Sequence, residues 1–424
     1  MRRHVACGVA LVLGAAACTG GADTEQVIEP VSTTLVADSV APVVDDAVLR
    51  IGMLVPLSGP GAELGGSLRD GIRLAVQTAN QAGGVLGAPI EVTLVADEGP
   101  DVATARRATD KLVRAGVDVV IGPASSVVAP IVLPLLHGAG VAACSPTASS
   151  IALDDFPDNR LFVRTIPSDS LQATAIAQAI DLTGERAASV VYLDDDYGRP
   201  FAQQLADDLR RLSIEVRQLV PVTATDTEFA DDALAAADGD IGVVAVVGDA
   251  STGPRVVESL FGALGDEAQV IVNDAMRIPA SAGAYSRLRA DQLERLRGVS
   301  PRATVAPSDF STTYSQNHPG ERELFASNAA DCVNVLALAA RAAGSTLASD
   351  IVRELEDVTS GGTRCSSFGA CATLQDDGRN IDYDGPSGQL RLDANGDPVR
   401  GVFEIFRYDR SGRDVADSLL VVPR

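Results

Sequence analysis

Two hydroxyl-rich turns, each directly after a short apolar run, are the features of this sequence best suited to hold a small ligand. The first turn, 123–126, follows the run 118–122, and the second turn, 145–150, ends a similar run. In an open parallel sheet the carboxyl ends of the strands line the crevice where ligands bind. Hydroxyls and unpaired N–H groups at helix starts suit a carboxylate or a similar anion. The alternative is that these serines only cap helices, with Ser125 or Ser126 as the predicted N-cap.

Alternating strands and helices must position these turns. Strands are predicted at 49–58 and 90–96 and helices at 67–81 and 103–115, all before the first turn. The middle of the chain repeats the alternation, with strands predicted at 187–193, 214–222, 241–247 and 270–273. This alternation predicts an α/β protein with doubly wound parallel sheets.

The length and the charge of the chain narrow the classes of protein to consider. A chain of 424 residues is long for one domain, which favours two lobes with ample cores. The formal charge of −23 argues against nucleic acid as a partner, and the absence of tryptophan argues against a sugar-stacking surface. Such acidity also repels anionic lipids, so any attachment to a membrane must be covalent.

The N-terminus has the pattern of an export signal. Residues 1–17 combine two early arginines with an apolar run and small residues before Cys18. This pattern resembles a bacterial lipoprotein signal, which implies lipidation of Cys18 and an anchor at the outer face of the cell membrane. The polar stretch that follows, to about residue 47, is predicted to be a disordered tether.

The remaining cysteines allow disulfides in an exported protein. Cys365 and Cys371 flank five residues in a glycine-rich segment, and we expect them to pair. Cys144 and Cys332 lie in apolar stretches and either pair or remain buried thiols. We expect no metal or other cofactor, because the histidines are scattered and the acidic turn near 390–397 lacks the glycine position of a calcium loop.

Three segments, 51–60, 80–90 and 120–123, together resemble the branched-chain amino acid type of extracellular solute-binding protein. That resemblance covers roughly residues 48–424. It implies the type 1 periplasmic binding protein fold, two lobes joined by a three-strand hinge that close over a small solute for an ABC permease. The lobes are expected at 48–165 with 301–385 and at 166–300 with 386–424. The hinges are expected near 164–168, 298–302 and 383–390.

The resemblance also implies ligand contacts. By position, the first-lobe contacts are Ser126, Ala148 through its backbone, and Ser149. Tyr197 resembles the second-lobe aromatic residue that closes over the ligand, and Asp274 falls where the family often places an acid for an ammonium group.

Asp249 or Ala250 stands at a second-lobe position that often holds tyrosine, and Asp249 is a further candidate contact. Each second-lobe residue has an alternative: Tyr197 as a surface turn residue, Asp274 as an N-cap and Asp249 as a solvated acid. The consecutive acids 194–196 are expected to cap a helix rather than to bind a metal.

The expected function is capture of a polar, amino-acid-like solute. The sequence contains no GxSxG elbow, no Walker A loop and no GxGxxG after the first strand, so we do not expect an enzyme. The competing hypothesis is a ligand-sensing protein, which would need a separate signalling partner.

Overall fold

The first part of the folded chain forms a parallel sheet, as predicted. The computed structural model describes residues 45–157, 160–239, 241–277, 283–302 and 308–423, all of which belong to one unit, Ser39–Arg424. The strands of this first sheet are β1 (Arg50–Val55), β2 (Glu91–Asp97), β3 (Val119–Ile121), β4 (Ala142–Ser145) and β5 (Phe162–Arg164). They are flanked by α1 (Ala62–Gln81), α2 (Val102–Arg114) and α3 (Ala129–Gly138). The order is β2-β1-β3-β4-β5, and every pair is parallel. The turns after β3 and β4 therefore lie side by side at one edge.

The middle of the chain repeats this arrangement. Its elements are α4 (Asp169–Asp181), β6 (Ala187–Leu193), α5 (Gly198–Arg211), β7 (Glu215–Val222), α6 (Ala230–Ala236), β8 (Val243–Val247), α7 (Gly253–Ala263), β9 (Gln269–Val272), α8 (Ala290–Arg295) and β10 (Leu296–Pro301). β8 is five consecutive valine or alanine residues, all buried, as expected for a strand covered on both faces.

The chain then returns to the first sheet. This segment contains α9 (Asp309–Asn317), α10 (Ala326–Ala343), α11 (Ala348–Ile351), α12 (Leu355–Val358), β11 (Thr363–Cys365), α13 (Phe368–Asp376), β12 (Ile381–Gly385) and β13 (Gly388–Gln389). The helix α10 packs against α1 and shares one hydrophobic core with the first sheet. Gly71 of α1 permits this close approach, because a β-carbon there would lie 2.5 Å from the carbonyl oxygen of Ala326.

A C-terminal hairpin completes the second sheet. Strands β14 (Arg400–Tyr408) and β15 (Asp414–Pro423) pair antiparallel, and β14 also runs antiparallel to β10. The full order is β15-β14-β10-β9-β8-β6-β7. The fold is thus α/β with two doubly wound sheets, the second of which carries an antiparallel edge.

The chain passes between the two sheets three times. It passes first between β5 and α4, then between β10 and α9, where residues 303–307 are not described, and last before β14. The last crossing comes later than the predicted interval 383–390. Tyr383 lies in a strand paired with β11, and Leu390 and Leu392 are still buried in the first core, so the crossing lies between Leu392 and Arg400.

Both pairs of cysteines form disulfides. Cys365 pairs with Cys371, as expected, with their Cα atoms 5.3 Å apart. Cys144 pairs with Cys332, which decides between the two alternatives left open by the sequence. This second bond joins β4 to α10, directly beneath the turn 145–150.

The predicted export signal, Cys18 and most of the predicted tether lie outside the described residues. The last tether residues are already bound to the folded body, since both carboxylate oxygens of Asp45 accept hydrogen bonds from Ser345 and Thr346. Asp46 forms an ion pair with Arg50. Within the described ranges, no helix has the length and apolar character needed to cross a membrane.

Candidate functional site

The turns after β3 and β4 are tied together by side-chain hydrogen bonds. The Ser145 hydroxyl donates to the Pro123 carbonyl oxygen at 2.6 Å, and the Thr147 hydroxyl donates to the Ala124 carbonyl oxygen at 2.9 Å. These contacts turn two loops from different strands into one rigid surface.

Ser126 completes this surface. Its Oγ accepts the N–H groups of Ser149 at 3.1 Å and of Ser150 at 3.2 Å. A hydroxyl has one hydrogen to donate besides the lone pairs that accept. Ser126 can therefore donate to a ligand while it holds the second turn in place.

The predicted N-cap role of Ser125 or Ser126 is wrong. Val128 occupies the N-cap position of α3. The Oγ of Ser125 accepts the N–H groups of Val127 and Val128 and closes the turn before the helix. Ser126 is left for the contact with the second turn.

Ala148 and Ser149 are anchored from below. The N–H of Ala148 donates to the Ser145 hydroxyl at 2.8 Å. The Ser149 carbonyl oxygen accepts the N–H of Asp169 at 2.8 Å and a guanidinium N–H of Arg164 at 3.1 Å. The turn 145–150 is thereby linked to the first crossing between the sheets.

Arg164 is fully buried at the start of that crossing. Its guanidinium is held by the carboxylates of Asp397 and Asp154, and Asp154 also accepts the Ser168 hydroxyl. Two opposed charges and several hydrogen bonds satisfy the buried cation. The crossing and the serine turns thus share one network.

The second sheet places three polar side chains near these turns. The Asn273 amide donates to the Tyr197 hydroxyl at 3.3 Å. Asp274 accepts the Gln172 amide at 3.0 Å, and the same amide donates to the Val299 carbonyl oxygen at 2.7 Å. Asn273, not Asp274, is the N-cap of the short turn that follows β9, so the capping alternative for Asp274 is not realised.

Asp169 is the functional candidate that the sequence reasoning missed. It is 1 % exposed, and among the described residues neither carboxylate oxygen has a hydrogen-bond partner of good geometry. The residue follows the N-cap Ser168 at the start of α4, where an acid is usually explained by the helix dipole. Its position directly after the first crossing was the available signal, because that crossing borders the cleft.

The electrostatics of this group favour a cation. Burial, together with the Asp274 carboxylate, raises the pKa of Asp169 well above its usual range, although the nearby Ser149 hydroxyl and Arg164 oppose the shift. Burial also raises the pKa of Asp274 and of Tyr197, and both carboxylates add to the shift of Tyr197. Asp169, Asp274 and Tyr197 therefore lie close enough to repel one another when charged, and a bound cation would relieve that repulsion.

The other predicted acids serve as local caps. Asp249 Oδ1 accepts the N–H groups of Ser251 and Thr252 at the start of α7. Asp195 accepts the N–H groups of Tyr197 and Gly198 at the start of α5, as expected for the acidic run 194–196.

One group of possible metal ligands lies away from the serine turns. Ligand atoms of Asp70, His318 and Glu321 lie within 4.8 Å of one another. The guanidinium of Arg69 already donates to both carboxylate oxygens of Asp70, at 2.8 and 3.0 Å. A cation would have to compete with that guanidinium.

Comparison with known proteins places the chain in a family. A sequence profile described as periplasmic binding protein matches residues 48–388. The substrate-binding protein BasB of a chemotactic signal transduction system in Halobacterium salinarum is 30 % identical over 372 residues, which cover 83 % of this chain and 85 % of that protein. The Leu/Ile/Val-binding protein BraC3 of Rhizobium johnstonii is 29 % identical over 50 % of this chain and 54 % of its own length.

Solved structures show the same fold. The leucine-binding protein LivK of Thermotoga maritima superposes with a TM-score of 0.70 at 17 % identity, covering 88 % of this chain and 98 % of its own. The isoleucine complex of LivJ from Streptococcus pneumoniae gives a TM-score of 0.68 at 20 % identity, with 89 % and 100 % covered. This chain therefore belongs to the periplasmic binding protein family and has its type 1 fold, and these relatives are solute-binding proteins rather than enzymes.

Proposed function

We propose that this chain is the extracellular substrate-binding protein of an ABC importer and captures a zwitterionic solute of the amino-acid class. The observation that carries the proposal is the buried carboxylate of Asp169 beside the serine turns, whose oxygens have no hydrogen-bond partner of good geometry in the described part of the chain. A buried carboxylate without a partner is costly, so its retention favours a cation that arrives with the ligand. An α-amino acid brings that cation together with a carboxylate.

The carboxylate of the solute would bind at the first sheet. Ser126 has a hydroxyl hydrogen to donate, while its Oγ is held in place by the N–H groups of Ser149 and Ser150. This donor is neutral, so it can bind an anion without a buried positive charge of its own.

The ammonium group would bind at the acids. Asp169 and Asp274 supply negative charge, Tyr197 closes the aromatic side, and the Ala148 carbonyl is the proposed backbone acceptor. Asp249 keeps one oxygen beyond its capping contacts and remains a further proposed contact.

Capture would proceed by closure of two lobes around the three crossings. With the last crossing between Leu392 and Arg400, these lobes are 48–165 with 301–392 and 166–300 with 400–424. The serine turns belong to the first of these lobes and Asp274 and Tyr197 to the second. A ligand that binds both sides stabilises the closed form over the open form. Small-angle scattering should therefore show a smaller radius of gyration at saturation, and no chemical change in the solute.

The test of ligand class is the identity of the solute that co-purifies with the chain. Mass spectrometry after gentle unfolding should find a molecule that carries both an amine and a carboxylate. A solute without an amine, such as an aromatic acid, would contradict the proposal, because it would bring no cation to the Asp169 carboxylate.

Export and anchoring complete the proposal. Residues 1–17 would direct export, and Cys18 would carry a lipid that holds the chain near the permease through the tether. Expressed in a host that processes lipoproteins, the unaltered chain should partition into detergent, whereas Cys18→Ala should not. Release of both into the aqueous phase would rule out the anchor.

A second candidate function is substrate binding for a signalling partner, as the similarity to BasB favours. Deletion of the gene for this chain in its native cell distinguishes import from signalling. Loss of uptake of the identified solute indicates import, whereas intact uptake with loss of movement toward that solute indicates signalling.

A further inference from the structure

Glu98 is a buried acid directly beneath the first serine turn. It follows β2, is 1 % exposed, and its N–H donates to the Val55 carbonyl oxygen at the end of β1. Its two carboxylate oxygens accept the N–H groups of Ala124 at 2.8 Å and of Ser125 at 2.9 Å. One carboxylate thus fixes the two residues that immediately precede Ser126.

The path from Glu98 to the second turn is continuous. The backbone held by Glu98 leads into Ser126, whose Oγ accepts the N–H groups of Ser149 and Ser150. A change at the Glu98 carboxylate therefore reaches both turns that form the donor side of the cleft.

The ionisation state of Glu98 determines whether its carboxylate can accept both the Ala124 and the Ser125 N–H groups. An ionised carboxylate accepts two N–H groups, whereas a protonated one carries an O–H that faces an N–H donor. Burial raises the pKa of Glu98 to about 7, the Asp97 carboxylate adds to the shift, and the two N–H groups oppose it. Asp97 is the charged group that acts on Glu98 in the described part of the chain, and its Oδ1 accepts the N–H groups of Leu57 and Gly99.

We propose that Glu98 is a positioning residue that, when ionised, holds Ser126 and the turn 145–150 in the arrangement that binds the solute. This inference rests on the proposed function for the role of Ser126, but its test needs no ligand. Failure of the inference is therefore distinguishable from failure of the proposed function.

Amide NMR of selectively labelled chain is the direct test. With carbonyl-¹³C alanine and ¹⁵N serine, a carbonyl-filtered spectrum shows the seven serines that follow an alanine in the sequence. Ser125 reports the contact with Glu98, and Ser149 reports the contact with Ser126. From about pH 5 to about pH 9, both signals should shift with one midpoint close to the pKa of Glu98.

Two variants assign the shifts. Glu98→Gln keeps the side-chain shape, and it should abolish the titration of Ser125 and the part of the Ser149 titration that shares its midpoint. Ser126→Ala should leave the titration of Ser125 and remove that shared component from Ser149. Asp169 also lies near Ser149 and can contribute to the pH-dependent shift of the Ser149 signal. A part of that shift that persists in Glu98→Gln but disappears in Asp169→Asn is caused by Asp169.

Two results would count against the proposal. If Ser125 does not titrate in the unaltered chain, or titrates equally in Glu98→Gln, the carboxylate does not control the first turn. If Ser149 keeps the shared component in Ser126→Ala, Glu98 does not act through Ser126. Either result overturns the proposal. The absence of a Ser125 titration can be observed in the unaltered chain alone, so the test holds even if Glu98→Gln does not fold.

Discussion

The two sides of the cleft treat polar groups in opposite ways. On the first sheet, the hydroxyls of Ser126, Ser145 and Thr147 all have partners, and the surface they form is neutral. On the other side lie the acids Asp169 and Asp274, and neither carboxylate oxygen of Asp169 has a hydrogen-bond partner of good geometry among the described residues. The hydroxyls of the first side have protein partners without a ligand, whereas the Asp169 carboxylate lacks a partner of good geometry among the described residues.

This difference predicts the orientation of the solute in the cleft. Neutral donors suit the anionic end of a solute, and unpaired acids suit its cationic end. The acidic side also destabilises the empty protein, because burial of these carboxyl groups costs free energy whether they stay charged or take up a proton. Binding and stability should therefore respond in opposite directions when the acid is removed.

The largest effect is expected from Asp169→Asn. It removes the charge but not the shape, and affinity for an amine-bearing solute should fall by about 2 to 5 kcal/mol in calorimetry. The melting temperature should stay the same or rise, because the unpartnered carboxylate is gone.

Asp110→Asn is the matched control, since Asp110 lies exposed on α2. It should leave both affinity and melting temperature unchanged. Lower stability in Asp169→Asn would mean that this acid is a structural residue with an undetected partner, and the contrast between the two sides would fail.

The pH dependence of stability tests two buried acids that accept hydrogen bonds, Glu98 and Asp331. Burial raises the pKa of Glu98 to about 7 and that of Asp331, beneath the Tyr383 hydroxyl, to about 7. A raised folded pKa favours the neutral acid, so its stabilisation is full below the unfolded pKa and is lost as the pH rises toward 7. For Glu98 the loss is about 3 kcal/mol.

Thermal melts should therefore show a higher melting temperature near pH 5 than near pH 8. Glu98→Gln should flatten this dependence. A melting temperature that rises over this interval would mean that the ionised carboxylates are better satisfied than their burial indicates.

A smaller effect is expected from Asp274→Asn. Asp274 already accepts the Gln172 amide, and Asp169 remains to bind the ammonium group. The loss in affinity should be about 1.5 to 3 kcal/mol, the usual range for a hydrogen bond to a charged group. A loss greater than that of Asp169→Asn would reverse the assigned order of the two acids.

Ser126→Ala should have the smallest effect. It removes one neutral donor and the bridge to Ser149, which costs about 0.5 to 1.5 kcal/mol of affinity. Ser315→Ala, at an exposed serine of α9, is the matched control. Unchanged affinity in Ser126→Ala would move the anionic end of the solute away from the first turn.

Most of the fold was predictable because period and turn signals are local. The strand Ala187–Leu193 was predicted to the residue, and the helix predicted at 67–81 ends at Gln81 as expected but begins earlier, at Ala62. The antiparallel hairpin of β14 and β15 was missed, and the pairing of β14 with β10 joins residues far apart in the sequence. The third crossing was placed too early because the burial of Leu390 and Leu392 in the first core is a tertiary property.

The site was predictable in part, for the same reason. Ser126 and Asp274 follow strands, so the rule on strand ends finds them. Asp169 and Glu98 matter because of what surrounds them. Asp169 is buried with no hydrogen-bond partner of good geometry among the residues that the structure describes, and Glu98 accepts two N–H groups from a turn 26 residues away. Neither property is visible in a sequence that shows an acid at a helix start or after a strand.

The central claim is that the acidic side of the cleft binds an amine. The most direct measurement is calorimetry of the identified solute and of its deaminated analogue, each against the unaltered chain and against Asp169→Asn. We predict that the unaltered chain strongly prefers the amine-bearing solute and that Asp169→Asn loses most of that preference. Equal affinity of the unaltered chain for both molecules, or an undiminished preference in Asp169→Asn, would contradict the account.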